Sequence, residues 1–366
     1  MSMDRADLQE AVMAALRTVR DPELGADLAT LEMVKQVAVC EGHVRIDIEL
    51  TTPACPLKAT LQKDIEQAVS GIDGIDRVAV EFTARVRGAS TPTDILPDVR
   101  NIVAVGAGKG GVGKSTVSTL LAVGLARAGA KVGLMDADVY GPSIPKMLGI
   151  ESTHPELDGE RIVPVEVVGL KVISIGLMIP PGEAVIWRGP MIHNAIRQFF
   201  ERVAWGELDY LIVDLPPGTG DVPLTITQTI PITGAVVVCT PQQVALADAL
   251  RAARMYEKLK VPVLGMIENM SYFIAPDTGV EYDLFGKGGV ERASHESGIP
   301  FLGSIPVNVG IRVSGDAGTP ESIFQENPEG VCEAVTSVVE HVAARISVHQ
   351  RGQSAQAAEP ARERGQ

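Results

Sequence analysis

Between an apolar run and a long helical pattern lies the segment that most restricts what this chain can become, Gly106-Ala-Gly108-Lys109-Gly110-Gly111-Val112-Gly113-Lys114-Ser115-Thr116. The preceding run, Asn101 to Val105, has the length and composition of a buried strand, and the pattern from Ser115 to Ala130 repeats apolar residues at helical spacing. A strand, a glycine-rich turn and a helix opening on Lys-Ser make a phosphate-binding loop. Its glycines let the backbone curl until the N–H groups face inward, Lys114 can reach the β- and γ-phosphates of a nucleotide, and the Ser115 hydroxyl suits a Mg²⁺ ion. The expected nucleotide contacts run through Gly108, Lys109, Gly110, Gly111, Val112, Gly113, Lys114, Ser115 and Thr116.

Strand signals at 101–106, 132–136, 210–214, 235–239, 263–267 and 301–304 alternate with helical ones. This alternation implies an α/β domain with a mostly parallel, doubly wound sheet, helices on both faces and ligands at the carboxyl ends of the strands. Two of those ends are acidic: Met135-Asp136-Ala-Asp138 and Leu211-Ile-Val-Asp214-Leu-Pro-Pro-Gly218-Thr-Gly220-Asp221. Carboxylates facing phosphate would be repelled by it unless they serve Mg²⁺ or the attacking water. Asp136 and Asp214, with Ser115, are therefore candidate Mg²⁺-site residues, and Gly218 and Gly220 let the loop after Asp214 move with the γ-phosphate. Asp136 equally suits a turn cap, and Asp221 either that moving loop or a helix cap.

At 366 residues the chain suits two or three segments. Residues 4–87 read as a small α+β domain: a helical pattern from Leu8 to Val19, strands at 34–39, 44–50 and 78–82, and a helix at 58–69. Residues 88–98, rich in Pro, Ser and Thr, read as a linker, 99–347 as the nucleotide-binding domain, and the polar stretch 348–366 as a disordered tail. The net charge of −14 argues against nonspecific binding to nucleic acid or an anionic membrane. With no signal-like start and no membrane-length apolar run, a cytoplasmic location is expected. Four scattered cysteines do not make a disulfide framework. Cys40, Cys239 and Cys332 read as core, whereas Cys55, in the Pro-flanked turn Thr51-Thr-Pro-Ala-Cys55-Pro56 ahead of a helix, is either a reactive thiolate or simply packed.

Lys109, early in Gly108-Lys-Gly-Gly-Val-Gly-Lys-Ser115, is a cation that an ordinary phosphate loop does not need. It resembles the deviant Walker A signature of the MinD/ParA/nitrogenase-iron-protein class, which implies a nucleotide-sandwich homodimer in which this lysine reaches the partner's nucleotide. The run Asp214-Leu-Pro-Pro-Gly-Thr-Gly-Asp221, with Tyr140-Gly-Pro-Ser143, Arg188-Gly-Pro190, Ile267-Glu-Asn-Met-Ser271 and Phe285-Gly-Lys-Gly-Gly289, narrows the match. Together these segments resemble the Mrp/ApbC family of iron-sulfur cluster carrier ATPases. Asp21-Pro-Glu-Leu-Gly25 and the Cys55 turn resemble the metal-sulfur cluster assembly domain often fused ahead of them. The resemblance implies catalytic roles for Lys109, Lys114 and Asp138, the last as the water-activating carboxylate. It implies Asp136 in the first switch and Asn269 as the adenine-reading residue, which by composition is equally a turn former. ATP and Mg²⁺ follow as ligands, and apo iron-sulfur proteins or assembly factors as partners.

One departure stands out. Many family members carry Cys-x-x-Cys between the Glu-Asn-Met-Ser and Phe-Gly segments, where two subunits share a [4Fe-4S] cluster; here Ala275 and Thr278 stand at those positions, and neither binds iron as a thiolate does. Any cluster held here is then expected to be labile, with Cys55 as a ligand and a client's cysteines or a small thiol completing the set. The competing expectation is a cluster-free, nucleotide-gated regulator acting on a protein client. A partition or positioning ATPase is disfavoured, because the C-terminal pattern Val331 to Ile346 carries Glu333, Glu340 and a single arginine, Arg345.

Overall fold

The computed structural model describes residues 5–40, 42–88, 95–179, 189–325 and 330–358. The chain divides into two compact units, residues 1–86 with 347–366, and residues 87–346.

In the first unit, α1 (Arg5–Leu16) precedes the antiparallel pair β1 (Val34–Cys40) and β2 (His43–Leu50); α2 (Lys58–Val69) then returns the chain so that β3 (Arg77–Ala84) pairs parallel with β2. Val12 and Leu16 of α1, Ile46 and Ile48 of β2, and Leu61, Ile65 and Val69 of α2 form its core. The 61/65/69 spacing is the four-residue repeat of one helix face, and 46/48 the two-residue repeat of one sheet face. The same alternation corrects the reading of Cys40: Val37 and Val39 point inward, so Cys40 points out and is exposed.

The second unit is built on β4 (Val99–Ala107), α3 (Lys114–Arg127), β5 (Val132–Asp136), α4 (Ile144–Met147), β6 (Val165–Val167), β7 (Leu170–Ser174), α5 (Gly189–Arg202), β8 (Leu208–Asp214), α6 (Asp221–Thr229), β9 (Gly234–Cys239), α7 (Gln243–Lys258), β10 (Val263–Ile274), β11 (Glu281–Tyr282), α8 (Gly289–Ser297), β12 (Phe301–Val307), α9 (Val309–Ala317) and the part of α10 (Val331–Ala358) that ends at Ile346, the remainder of that helix belonging to the first unit. The sheet order is β6-β7-β5-β8-β4-β9-β10-β11, with β12 also on β10. β6 and β11 run antiparallel to their neighbours, and every other pairing is parallel. Alternate residues of the central strands, such as Ile102/Ala104 and Val103/Val105 in β4, are all buried, so both sheet faces are covered. One face packs Leu211, Val213, Ala235 and Val237 against Phe199 of α5, Ile226 of α6, Ala249 of α7 and Val290 of α8.

Parallel registers align the carboxyl ends of β7, β5, β8 and β4. Ser174 pairs with Asp136, Asp136 with Asp214, and Asp214 with Val105. The expected α/β architecture is present, with the edge pair β6/β7 added. Two expectations need correction. The region read as linker is partly packed, since Leu96 is buried in the second unit's core; residues 89–94 of that linker lie outside the described residues. Of the region read as a disordered tail, residues 348–358 are helical, with Gln350 buried and Arg351 donating to Leu31 O at 3.1 Å, and residues 359–366 lie outside the described residues. Ala, Gln and Arg extend a helix readily, so polarity alone was a poor sign of disorder there.

Trp205 is 2% exposed, packs in the main core and donates from Nε1 to Phe199 O at 3.1 Å. Trp205→Ala is expected to cost about 3–5 kcal/mol, read as a lowered midpoint in urea unfolding.

Candidate active site

The phosphate loop lies between β4 and α3. Gly113 caps α3 with φ of 79° and ψ of 25°, a left-handed conformation natural to glycine, and no side chain bonds the helix's first amides. The amides at this 14-residue helix's start suit an anionic ligand. At the other end of the loop, a Cβ on Gly108 would overlap the backbone of Asp248 and Ala249 in α7.

Lys114 is only 6% exposed. Its Nζ lies 2.8 Å from Asp214 Oδ2, 3.6 Å from Asp138 Oδ2 and 3.2 Å from Ser115 Oγ. Ser115 Oγ donates to Asp214 Oδ2 at 2.6 Å, and Ser118 Oγ lies 2.7 Å from Asp214 Oδ1. The structure thus brings Lys114, Ser115, Asp138 and Asp214 together around one ammonium group. Ala137 N donates to Asp214 O at 2.9 Å, which stitches the two acidic strand ends to each other.

Asp136 is fully buried and both its oxygens are engaged: Oδ1 accepts from Asp138 N at 3.1 Å, and Oδ2 from Ser174 Oγ at 2.9 Å. Burial, and then the charge of Asp214, push its carboxyl up to about 8. This is the turn-holding arrangement, and it anchors the loop that carries Asp138. Burial also raises the Asp138 carboxyl, with the Lys114 charge pulling it down.

Asn269 lies at the loop, where Nδ2 donates to Val112 O at 2.8 Å and a Cβ on Gly113 would meet it. A cleft of about 380 Å³ opens beside it, with Thr116, Lys146, Asn269, Pro306, Asn308 and Arg312 among its walls. Lys109 is half-buried and, among the described residues, forms no ion pair. Gly218 N donates to Ala107 O at 2.8 Å, so the loop after Asp214 touches the start of the phosphate loop. Asp221 begins α6, but its side chain lies outside the described residues, as does Arg188.

Sequence reasoning missed two groups. Ser118 lies three residues after Ser115 on the same helix face, a spacing that could have marked it. Glu268, a carboxylate inside an apolar strand, accepts from Gly288 N and Val290 N at 2.8 Å each and so clasps the start of α8. This links two segments whose likeness to a family was noted above.

Ala275 and Thr278 stand in a tight hairpin. Ala275 N donates to Val280 O at 3.0 Å and Gly279 N to Ala275 O at 2.8 Å, closing a hairpin over Thr278. Among the described residues, no group of three or more His, Cys, Asp and Glu side chains is arranged to hold a metal ion. Cys55 is half-buried against the first unit's core. Cys239 is buried and its thiol is pushed up to about 12 by burial, as expected of a core cysteine, while Cys332 is half-buried beside Thr336.

Phosphate loop, acidic strand ends and parallel sheet define a P-loop NTPase. The sequence profile of the NUBPL iron-transfer P-loop NTPase family matches residues 98–343, and that of iron-sulfur cluster assembly proteins matches residues 9–82. The chain belongs to the NUBPL iron-transfer P-loop NTPase family. It is 50% identical to an iron-sulfur cluster carrier protein of Deinococcus radiodurans over 93% of this chain and 96% of the relative. Against a protein of the same description from Synechocystis it is 47% identical, over 93% and 98%. A solved nucleotide-binding protein of Archaeoglobus fulgidus in complex with ADP aligns with a TM-score of 0.57 at 42% identity, covering 64% of this chain and 94% of that one. No helix among the described residues is long and apolar enough to cross a membrane.

Because the folded protein keeps Asp136 protonated up to about pH 8 while the unfolded chain releases that proton near its ordinary 3.8, unfolding releases a proton across this window and stability falls as pH rises through it. Denaturant midpoints of the nucleotide- and metal-free protein should therefore fall between about pH 5 and about pH 8. Asp136→Asn, which keeps hydrogen-bonding capacity toward Ser174 and the Asp138 amide, should flatten that slope.

Proposed function

We propose that the protein is a Mg²⁺-dependent ATPase that carries or assembles iron-sulfur clusters and delivers them to apoproteins. The convergence of Lys114, Ser115, Asp138 and Asp214 at the carboxyl ends of parallel strands carries this reading, within a chain half identical to a cluster carrier. The hard oxygen donors of Ser115 and Asp214 suit Mg²⁺, with Asp136 behind them in a supporting role. When bound there, the metal supplies neutralisation of phosphate charge.

The chain's own residues do the rest. The amides opening α3 receive the β-phosphate, and Lys114 turns from Asp214 toward the phosphates, exchanging one anionic partner for another. Asp138, released from Lys114, orients the attacking water. The cleft beside Asn269 suits the nucleoside, its apolar walls taking the base and its few polar groups the ribose. Lys109, a half-buried cation without a partner carboxylate among the described residues, supports a homodimer in which it meets the other subunit's nucleotide. A need for ATP supports a cytoplasmic site of action.

Phosphoryl transfer relies on positioning and charge, so Asp138→Asn and Lys109→Ala should each slow hydrolysis roughly a hundredfold or more. Steady-state phosphate release checks this, and full activity in either variant removes the assigned role.

The hairpin at Ala275 and Thr278 offers no thiolate, so the reading gives the cluster Cys55 and exchangeable ligands. Anaerobic reconstitution should yield a labile cluster in the normal protein and none in Cys55→Ala, followed by visible absorption and transfer to an apo-client. The same hairpin favours the second reading, a cluster-free regulator, and absence of iron and sulfide from both proteins would select it.

A further inference from the structure

Asp214 has two carboxylate oxygens, and the protein treats them differently. Oδ2 is shared by Lys114 Nζ at 2.8 Å and Ser115 Oγ at 2.6 Å. Oδ1 has Ser118 Oγ at 2.7 Å. Under the hydrolysis reading, both partners of Oδ2 have other duties once nucleotide binds: Lys114 goes to phosphate and Ser115 to the metal. Ser118 has none. It is fully buried one turn along α3 from Lys114, and its Oγ also lies 3.1 Å from Lys114 O.

We propose that Ser118 is a positioning residue for the metal-dependent reaction, holding Oδ1 so that Oδ2 is the oxygen presented to the metal's coordination shell. The torsion that turns a carboxylate about its last bond is broad and two-fold, so a strand-end aspartate that loses two of three partners needs the third to fix its plane. The chemistry of the group matters as much as its place. A hydroxyl directs the carboxylate without neutralising it, whereas a second buried cation would cancel the charge that attracts the metal. Because Ser118 and Ser115 are three residues apart on one helix, Asp214 is set relative to the very hydroxyl beside which it must work.

This inference rests on the nucleotide-hydrolysis reading, and the test separates the two. Ser118→Ala removes only the hydroxyl, and Ser118→Cys replaces it with a weak donor of similar shape. Three quantities are measured for each: the Mg²⁺ concentration giving half-maximal ATP hydrolysis, Mn²⁺ affinity of the ADP-bound protein by electron paramagnetic resonance, which needs no turnover, and ADP affinity without metal. Loss of a hydrogen bond to a charged group should raise the first about tenfold and weaken the second about tenfold in Ser118→Ala, with a smaller shift in Ser118→Cys. ADP affinity without metal should stay as in the normal protein, and Ser118→Thr, which keeps the hydroxyl, should restore metal affinity. Normal metal dependence in both Ala and Cys variants overturns the proposal. So does a loss of ADP affinity of the same size without metal, the mark of a merely structural residue. If the normal protein hydrolyses no ATP, the hydrolysis reading fails, and the Mn²⁺ measurement still decides for or against Ser118.

Discussion

A single buried ammonium makes the centre of this structure possible. Asp136 and Asp214 are wholly buried on adjacent strand ends, with Asp138 two residues along, and such a group of carboxylates cannot be taken from water unless something offsets their charge. Lys114 does so for Asp214 and Asp138 together, and Asp136 answers the same pressure differently, by holding its proton. One ammonium thus serves two carboxylates, and the site keeps a net negative charge. A phosphate entering the loop competes with Asp214 for the lysine, so ligand affinity here is a difference between two ion pairs rather than the gain of one.

The sheet explains why those groups meet at all. Parallel pairing sets the ends of β5, β8 and β4 level, and the Ala137–Asp214 backbone bond continues the pairing one step past the strands. The aspartates hence inherit their positions from the most buried part of the fold, while the flanking loops can change with the ligand.

The phosphate loop and the acidic strand ends were legible because each is contiguous in sequence and its setting of strand, turn and helix is local. Ser118 was not: serines inside helices are common, and only the distance to a residue 96 positions away reveals its partner. Asn269 was found by likeness and its surroundings were not, since its bond to Val112 O joins segments far apart in the chain. The edge pair β6/β7 escaped notice because three- and five-residue strands give too little alternation to read. Cys40 was misjudged by treating an apolar run as buried throughout, when a strand with one wet face buries only every second residue. At 275 and 278 the sequence was sufficient, because no backbone arrangement turns alanine or threonine into a thiolate.

Gly108 carries a consequence for the loop as a piece of architecture. Its missing side chain is needed because the backbone of α7 runs against it. The loop is consequently not a detachable cassette. Transplanted onto another sheet, the same eleven letters would keep their capacity to curl but lose the surface they curl against, unless a helix came with them whose main chain passes as close as Asp248 and Ala249 do. What looks in one dimension like a portable word is, in three, one half of a joint whose other half lies more than a hundred residues downstream.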